Sequence, residues 1–221
     1  LPIYHRGPDN QSYVFLNNKT LFLGHNRLSI LDLEARSNQP MRSHSNKLMG
    51  IYNGEIYNYK SLQAEYNLKL KTSSDTEVLI ELFEILGEES LSKFEGMFSG
   101  CIYNQTKKSL FLFRDHFGIK PIYYSILDNN GIIFCSEIPP IINYLNKQVS
   151  PNKNTIRTYL DLGLYDHSKN TFFENIFCLK PGAYINYCLE DSSFIEKNWF
   201  DLNKFLTNNV NEKFDYEELL L

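Results

Sequence analysis

Three short polar stretches of this chain combine the residue types that bind a small zwitterion. Arg27 stands in GHNRLSIL (residues 24–31) at the end of a strand-like run, NGEIYN (53–58) follows another such run, and SSD (73–75) begins a helical pattern. An α-amino acid carries a carboxylate and an ammonium on one carbon. A guanidinium can bind the carboxylate through two parallel hydrogen bonds, and carboxylates can neutralise the ammonium. Together, the three stretches suit an α-amino acid ligand.

Each candidate residue has one chemical role in such a site. Arg27 would bind the ligand carboxylate, and Glu55 and Asp75 would bind its ammonium. Asn53 and Gly54 offer a side-chain amide and a backbone N–H, which are the two neutral donors of an oxyanion hole for acyl transfer. Taken singly, the same residues have ordinary explanations: a surface charge, an Asn-Gly hairpin turn and a helix cap.

A nucleophile is missing from this set. The sequence has no GxSxG motif, no cysteine stands beside an activating base, and the five histidines are scattered without a revealing spacing. The residues alone therefore predict an amino-acid site with an oxyanion hole, and they do not identify the attacking group.

The composition narrows the class of protein. Hydrophobic residues make up 43% of the 221 residues and charged residues 22%, as in ordinary globular proteins. The net charge of −4 argues against non-specific binding to nucleic acid or to an acidic membrane surface, and no apolar run approaches the roughly 18 residues of a membrane span. The four cysteines fall singly, mostly in apolar runs, which predicts small buried side chains, neither a zinc site nor a disulfide scaffold, and a cytoplasmic location.

The hydrophobic patterning predicts an α+β protein built on antiparallel sheets. NGEIYNY (53–59) is predicted to be a turn, and the clearest helix begins at the 73–75 caps and ends at Gly87. Further helices are predicted over 60–66, 138–145 and 152–162. The predicted strands are 12–16, 21–25, 48–52, 97–103, 109–114, 121–127, 132–136, 183–189 and 193–199.

Seven motifs in order resemble those of a known family. They are HRGPD (5–9), HNRLSILD (25–32), NGEIYNY (53–59), SSDTEVL (73–79), GMF (96–98), RDHFGIKPIYY (114–124) and SE (136–137). Together they resemble the glutaminase domain of glutamine-hydrolysing asparagine synthetase, a class II glutamine amidotransferase, over nearly the whole chain. HRGPD and NGE are shared widely in class II, whereas NGEIYNY with RDHFGIKPIYY points to the asparagine synthetase branch.

This resemblance implies a fold and a mechanism. The fold would be of the N-terminal nucleophile hydrolase type, a four-layer α/β/β/α sandwich with two antiparallel sheets. In the family, the thiolate of a cysteine at the mature N terminus attacks the side-chain amide of glutamine, and the α-amino group of that cysteine acts as the base. Ammonia leaves, and water then releases glutamate. Residues 1–200 would form an N-terminally truncated amidotransferase domain, and 201–221 the start of the linker or helix into a synthetase domain.

The resemblance also implies which residues bind glutamine. Arg27 would hold the carboxylate, the backbone of 28–31 would line the pocket, and Asn53 and Gly54 would form the oxyanion hole. No metal ligand is implied in this chain. The implied site residues are Arg27, Leu28, Ser29, Ile30, Leu31, Asn53, Gly54, Glu55 and Asp75.

Two departures from the family pattern shape the expected activity. The family's cysteine lies upstream of HRGPD, where this sequence has only LPIY, and the SGG-x-D-S loop of the synthetase domain is absent. We therefore expect this chain to bind glutamine without hydrolysing it and to hold no cofactor. ATP and magnesium would belong to the missing synthetase domain, which activates aspartate. Glutamine and that domain are the expected partners; a homodimer stays open, and neither nucleic acid nor a membrane is expected.

Two alternatives stay open. The first is an amidotransferase that acts on another carboxylate, such as a sugar acid, because the acceptor is chosen by the other domain. The second is a catalytically inactive domain that binds a partner or serves as a scaffold, as in β-lactam synthetase. The presence of Arg27, Asn53, Glu55 and Asp75 favours an enzyme, since a pocket without a ligand has no need of this set. RDHFGIKPIYY argues against the class II enzymes that make glucosamine 6-phosphate or phosphoribosylamine.

Overall fold

A computed structural model describes residues 3–145 and 149–209, and within these ranges it contains eleven strands and five α-helices. The strands are β1 (Asn10–Leu16), β2 (Leu21–Arg27), β3 (Met41–Arg42), β4 (Leu48–Ile56), β5 (Gly96–Asn104), β6 (Ser109–Arg114), β7 (Tyr123–Ile126), β8 (Ile132–Cys135), β9 (Phe177–Cys178), β10 (Ala183–Cys188) and β11 (Phe194–Asn198). The helices are α1 (Tyr59–Glu65), α2 (Asp75–Leu86), α3 (Ile138–Leu145), α4 (Lys153–Leu162) and α5 (Leu202–Asn209).

A six-stranded antiparallel sheet forms the centre of the molecule, with strand order β11-β10-β6-β5-β4-β3. β4 and β5 pair over nine residues, from Leu48 opposite Asn104 to Ile56 opposite Gly96. Because side chains alternate along a strand, each face of this sheet buries its own core. One face packs against α1 and α2, as shown by the fully buried cluster that joins Ile56 of β4 to Val78 of α2.

The opposite face is covered by two smaller antiparallel sheets, β1-β2 and β8-β7-β9. Leu23 of β2 and Tyr124 of β7 share one buried cluster with Leu112 of the six-stranded sheet. α3 packs against β7 and β8. The layers thus run helix, sheet, sheet, helix, as predicted for the fold class. Within the described residues the second sheet layer is divided into these two separate sheets.

The main correction to the predicted elements concerns NGEI. β4 continues through Ile56, so Asn53 and Gly54 lie inside a strand and the hairpin-turn prediction was wrong. The long ladder with β5 overrides the local turn preference of an Asn-Gly pair. β3 and β9 were missed because two residues are too short for an alternating pattern. α5 lies in the segment 201–221, for which the start of a linker or helix was expected. Residues 210–221, the remainder of that predicted linker or helix, lie outside the described residues.

The cysteines are all free thiols, but they are not equally buried. Cys101 is completely buried, which raises the pKa of its thiol. Cys135, Cys178 and Cys188 are only partly buried, so the prediction of small core side chains holds fully for Cys101 alone. Among the described residues, no helix combines the length and the apolar character needed to cross a membrane.

Candidate active site

The site is built along one open edge of β4. Because backbone groups alternate along a strand, the N–H groups of Tyr52, Gly54 and Ile56 all point to the side away from β5. Tyr52 N–H donates to Gln39 Oε1 (2.6 Å), and Ile56 N–H donates to Asp75 Oδ2 (3.0 Å). Gly54 N–H lies between these two satisfied donors, on the same side of the strand. Phe98, the residue opposite Gly54 on β5, directs both its N–H and its carbonyl to Asp115, so among the described residues the ladder leaves Gly54 N–H without a partner. It is therefore available to a ligand.

A second free donor lies beside it. Asn53 Nδ2 is buried and has no hydrogen-bond partner among the described residues. Position 54 accepts only glycine, because a Cβ there would lie 2.1 Å from the carbonyl oxygen of Met97 on β5. An amide side chain and a backbone N–H, adjacent and unsatisfied, are the arrangement that stabilises a developing oxyanion.

Arg27, at the end of β2, is buried and holds the loop that follows it. Nη1 donates to the Glu34 carbonyl (3.0 Å) and Asn38 Oδ1 (2.8 Å), while Nη2 donates to the carbonyls of Leu31 (3.0 Å) and Asp32. No carboxylate of the described residues lies within ion-pair distance of this guanidinium. A buried cation neutralised only by carbonyl dipoles favours the entry of an anion.

The loop after Arg27 is fastened at Asp32 to the SSD segment. The Asp32 carboxylate accepts hydrogen bonds from Ser73 N–H (2.8 Å), Glu34 N–H (3.3 Å) and Arg36 Nε (3.2 Å). These donors, chiefly the Ser73 backbone N–H, lower the pKa of Asp32 to about 2. The contacts connect the Arg27 loop to the N terminus of α2, where Asp75 stands.

Asp75 faces β4 from the first turn of α2. Its Oδ2 accepts from Tyr52 Oη (2.7 Å) as well as from Ile56 N–H, and the residue is only 5% exposed. Burial raises the pKa of Asp75, and the two hydrogen bonds oppose that rise. Ser74, the preceding residue, caps the helix by accepting from Thr76 N–H. The predicted capping role therefore belongs to Ser74, which leaves the Asp75 carboxylate free to face the cavity.

Two cavities meet at these residues. The larger, of about 220 Å³, contains Arg27, Asn53, Gly54, Glu55 and Asp75 in its wall. The smaller, of about 110 Å³, lies between β2 and β8. Five residues belong to the walls of both cavities, namely Arg6, His25, Asn26, Tyr52 and Asn53.

The structure brings nearly all predicted site residues together. Leu28, Ile30 and Leu31 line the larger cavity, whereas Ser29 does not, because its N–H donates to Asp9 Oδ2 of the HRGPD motif (2.7 Å). The part of the chain that the structure describes contains no cluster of His, Cys, Asp or Glu side chains that could hold a metal.

Sequence reasoning missed four residues that hold the site together: His25, Asp32, Gln39 and Tyr52. His25 and Asp32 lie within HNRLSILD and could have been suspected from that motif, whereas Gln39 carries no local signal. Its Oε1 accepts from Tyr52 N–H, and its Nε2 donates to Thr76 Oγ1 (3.3 Å), so its role depends wholly on tertiary structure.

A helix–sheet–sheet–helix α+β fold with this site defines the class: an amidotransferase of the N-terminal nucleophile hydrolase type. The family model described as a glutamine amidotransferase domain matches residues 2–200. The chain belongs to that family. A solved structure of glutamine phosphoribosylpyrophosphate amidotransferase from Bacillus subtilis has the same fold, with a TM-score of 0.57 at 19% identity, covering 80% of this chain and 34% of that one.

Two relatives that the chain resembles are named asparagine synthetases. A putative asparagine synthetase [glutamine-hydrolyzing] of Methanocaldococcus jannaschii is 38% identical over 192 residues, covering 77% of this chain and 37% of the relative. An asparagine synthetase [glutamine-hydrolyzing] of Bacillus subtilis is 35% identical over 209 residues, covering 92% and 27%. This chain thus matches the glutaminase domains of asparagine synthetases and spans about a quarter to a third of their length.

Proposed function

We propose that this chain is the glutaminase portion of an ATP-dependent asparagine synthetase, and that it supplies ammonia from glutamine for the amidation of aspartate. One observation carries the proposal: the unpartnered donors Asn53 Nδ2 and Gly54 N–H lie beside a cavity with a buried cation and two carboxylates in its wall. Hydrolysis of an amide through a tetrahedral intermediate needs such a pair of donors.

The cavity has complementary groups for both charges of an amino acid. Its wall contains Arg27, which has no carboxylate partner among the described residues, and also Glu55 and Asp75. The four terminal N–H groups of Arg27 bind the loop, so the ligand carboxylate either accepts from Nε–H or replaces loop carbonyls. The ammonium is bound at Asp75 and Glu55. The side-chain amide then extends to Asn53 and Gly54.

The nucleophile in this proposal is a cysteine that precedes this sequence in the full-length protein. The thiols of Cys101 and Cys135 in the wall of the smaller cavity are poor candidates, because burial raises the pKa of both. The incoming thiolate forms a bond to the amide carbon, and the oxyanion binds at Asn53 and Gly54. The C–N bond breaks as the nitrogen takes up the proton that the thiol gave to the α-amino group of the cysteine, and ammonia leaves. Water then hydrolyses the thioester to glutamate and regenerates the thiol.

The acceptor chemistry belongs to a downstream domain. We place ATP, magnesium and aspartate there, in a cytoplasmic enzyme. The relatives named asparagine synthetase are about three to four times the length that this chain covers, which leaves room for such a domain. This chain itself needs no cofactor for its proposed step.

Isothermal titration calorimetry of this chain with L-glutamine tests the binding step. We expect L-glutamine to bind, D-glutamine not to bind, and Arg27→Leu to abolish binding. Arg157→Leu is the matched control, because Arg157 lies on the exposed surface of α4 in a pair with Asp161. Absence of L-glutamine binding by the wild-type chain would refute the proposal.

The full-length gene product tests the catalytic step. Arg27→Leu should abolish glutamine-dependent asparagine formation and spare formation from added ammonia. Loss of both activities would assign Arg27 a structural role instead. Amide transfer to a carboxylate other than aspartate would refute the assignment to asparagine synthetase while leaving the glutaminase step intact.

A further inference from the structure

His25 of β2 carries a partly buried imidazole that the proposed mechanism does not use. Its Nε2 lies 3.1 Å from the carbonyl oxygen of Tyr52. Since a carbonyl can only accept a hydrogen bond, Nε2 carries the proton in this contact. In a neutral ring Nδ1 is then a bare acceptor. Nδ1 is also buried and has no hydrogen-bond partner among the described residues.

The surroundings keep this ring neutral. Burial is the main cause that lowers the pKa of His25 to about 4, and the nearby Arg27 charge acts in the same direction. The hydrogen bond to Tyr52 opposes both. The tautomer is fixed by the Tyr52 carbonyl, so the acceptor stays at Nδ1 over the pH range in which the protein works.

The position of His25 in the cavity wall determines which ligand groups can donate to its Nδ1. His25 and Asn53 are both in the wall that the two cavities share. They are also close neighbours, because His25 bonds to the carbonyl of Tyr52, the residue immediately before Asn53. Among the described residues, the buried polar atoms of this wall without a partner are Asn53 Nδ2, His25 Nδ1, and the amide Nδ2 and Oδ1 of Asn26. Asn53 Nδ2 and His25 Nδ1 form a pair of one free donor and one free acceptor, contributed by the neighbouring strands β4 and β2.

A primary carboxamide is the complement of this pair, since it presents one acceptor oxygen and one donor NH₂ group. We infer that His25 is a specificity-determining residue that selects glutamine over glutamate, by accepting a hydrogen bond from the amide NH₂ while Asn53 donates to the amide oxygen. This inference rests on the proposed function. A γ-carboxylate has no donor for Nδ1 and brings a negative charge against its lone pair, so glutamate leaves the acceptor unsatisfied.

The same contact would serve the product. Ammonia that leaves the tetrahedral intermediate retains N–H groups where the amide NH₂ stood, and His25 Nδ1 can hold it there. His25 stays neutral throughout, and no proton passes to it in this step.

Two conservative variants separate an effect of His25 on ligand specificity from an effect on protein stability. His25→Gln keeps an N–H at the ε position for the Tyr52 carbonyl and removes the δ acceptor. His25→Asn keeps an acceptor oxygen at the δ position and loses the bond to Tyr52. Calorimetric titration of wild type and both variants with L-glutamine and L-glutamate gives the ratio of the two dissociation constants.

We expect wild type to prefer glutamine and His25→Gln to lower that preference about tenfold, mostly through weaker glutamine binding. His25→Asn should keep most of the preference while its melting temperature falls. Asn53→Ala serves as a comparison, because it should weaken both ligands alike, since both present an oxygen to that donor.

An unchanged preference in His25→Gln, or an equal loss of both ligands, would overturn this inference and leave the proposed function standing. Binding of neither ligand by the wild-type chain would instead overturn the proposed function and this inference with it.

Discussion

Asp32→Asn should destabilise the chain measurably, although it changes only one oxygen to an amide nitrogen. Asp32 has a positive φ of 44°, a conformation that asparagine tolerates as well as aspartate does. The substitution therefore keeps the backbone and removes the charge. Its carboxylate is almost fully buried and accepts from Ser73, Glu34 and Arg36, so the loss is confined to those bonds.

The size of the effect follows from the pKa of Asp32. The folded protein lowers it from 3.8 to about 2, which corresponds to about 2 kcal/mol of stability at neutral pH as an upper bound. Because asparagine keeps one acceptor oxygen for these donors, we expect a loss of about 1 to 2 kcal/mol. For a domain of this size, that corresponds to a fall of roughly 2 to 8 °C in melting temperature.

The pH dependence provides the decisive measurement. A lowered folded-state pKa contributes stability above pH about 4, and the contribution is lost as the pH falls towards about 2. Urea unfolding of wild type and Asp32→Asn from pH 7 to pH 3 should therefore show a difference that shrinks with acid. Asp161→Asn, in an exposed pair with Arg157, should change stability by less than about 0.5 kcal/mol. An Asp32→Asn difference that is absent at pH 7, or constant with pH, would refute this reasoning.

Three further predictions address other parts of the site and core. Tyr52→Phe removes a hydrogen bond that lowers the pKa of Asp75, so the acid limb of glutamine affinity should move to higher pH in calorimetric titrations; an equal loss of affinity at every pH would contradict this. Glu77→Gln should cost about 1 to 3 kcal/mol in urea unfolding, because the buried Glu77 carboxylate accepts from the N–H and the hydroxyl of Thr72; unchanged stability would show that these bonds are replaced. The Cys101 thiol should resist alkylation until the protein unfolds, as followed by mass spectrometry, and rapid labelling of the native protein would disprove its burial.

The sequence predicted most strands and helices because their patterns are local. The 73–75 caps and Gly87 correctly bound α2, and the predicted helix over 138–145 matches α3. The order of the motifs did not show which segments are in contact. His5 and Arg6 of HRGPD, for example, both contact Glu137 of the SE motif, at 2.9 and 3.1 Å. Contacts between motifs that are far apart in sequence can be predicted only when a family of known fold supplies their three-dimensional arrangement.

The hydrogen bonds that could not be predicted depend on the direction in which backbone N–H and carbonyl groups point. The residue type of Arg27 predicted a guanidinium group with free N–H donors for a carboxylate. Its four terminal N–H groups instead donate to carbonyls of the following loop and to Asn38. That outcome requires the carbonyls of 31–34 to turn inward, which the positive φ of Asp32 helps to arrange. Likewise, no local pattern indicates that Gln39 reaches Tyr52 N–H. Such contacts arise from the tertiary fold.

The length of β3 explains why the site lies where it does. β3 pairs with β4 at only two positions, Met41 opposite Gly50 and Arg42 opposite Met49, so among residues 3–145 and 149–209 no strand pairs with the rest of that edge of β4. A longer β3 would have satisfied the N–H of Gly54 with a ladder hydrogen bond and closed the cavity. Side chains of Gln39 and Asp75 accept from the N–H groups of Tyr52 and Ile56, and the N–H of Gly54 between them remains available to a ligand. The binding chemistry therefore depends on where a strand stops as much as on which residues the motifs contain.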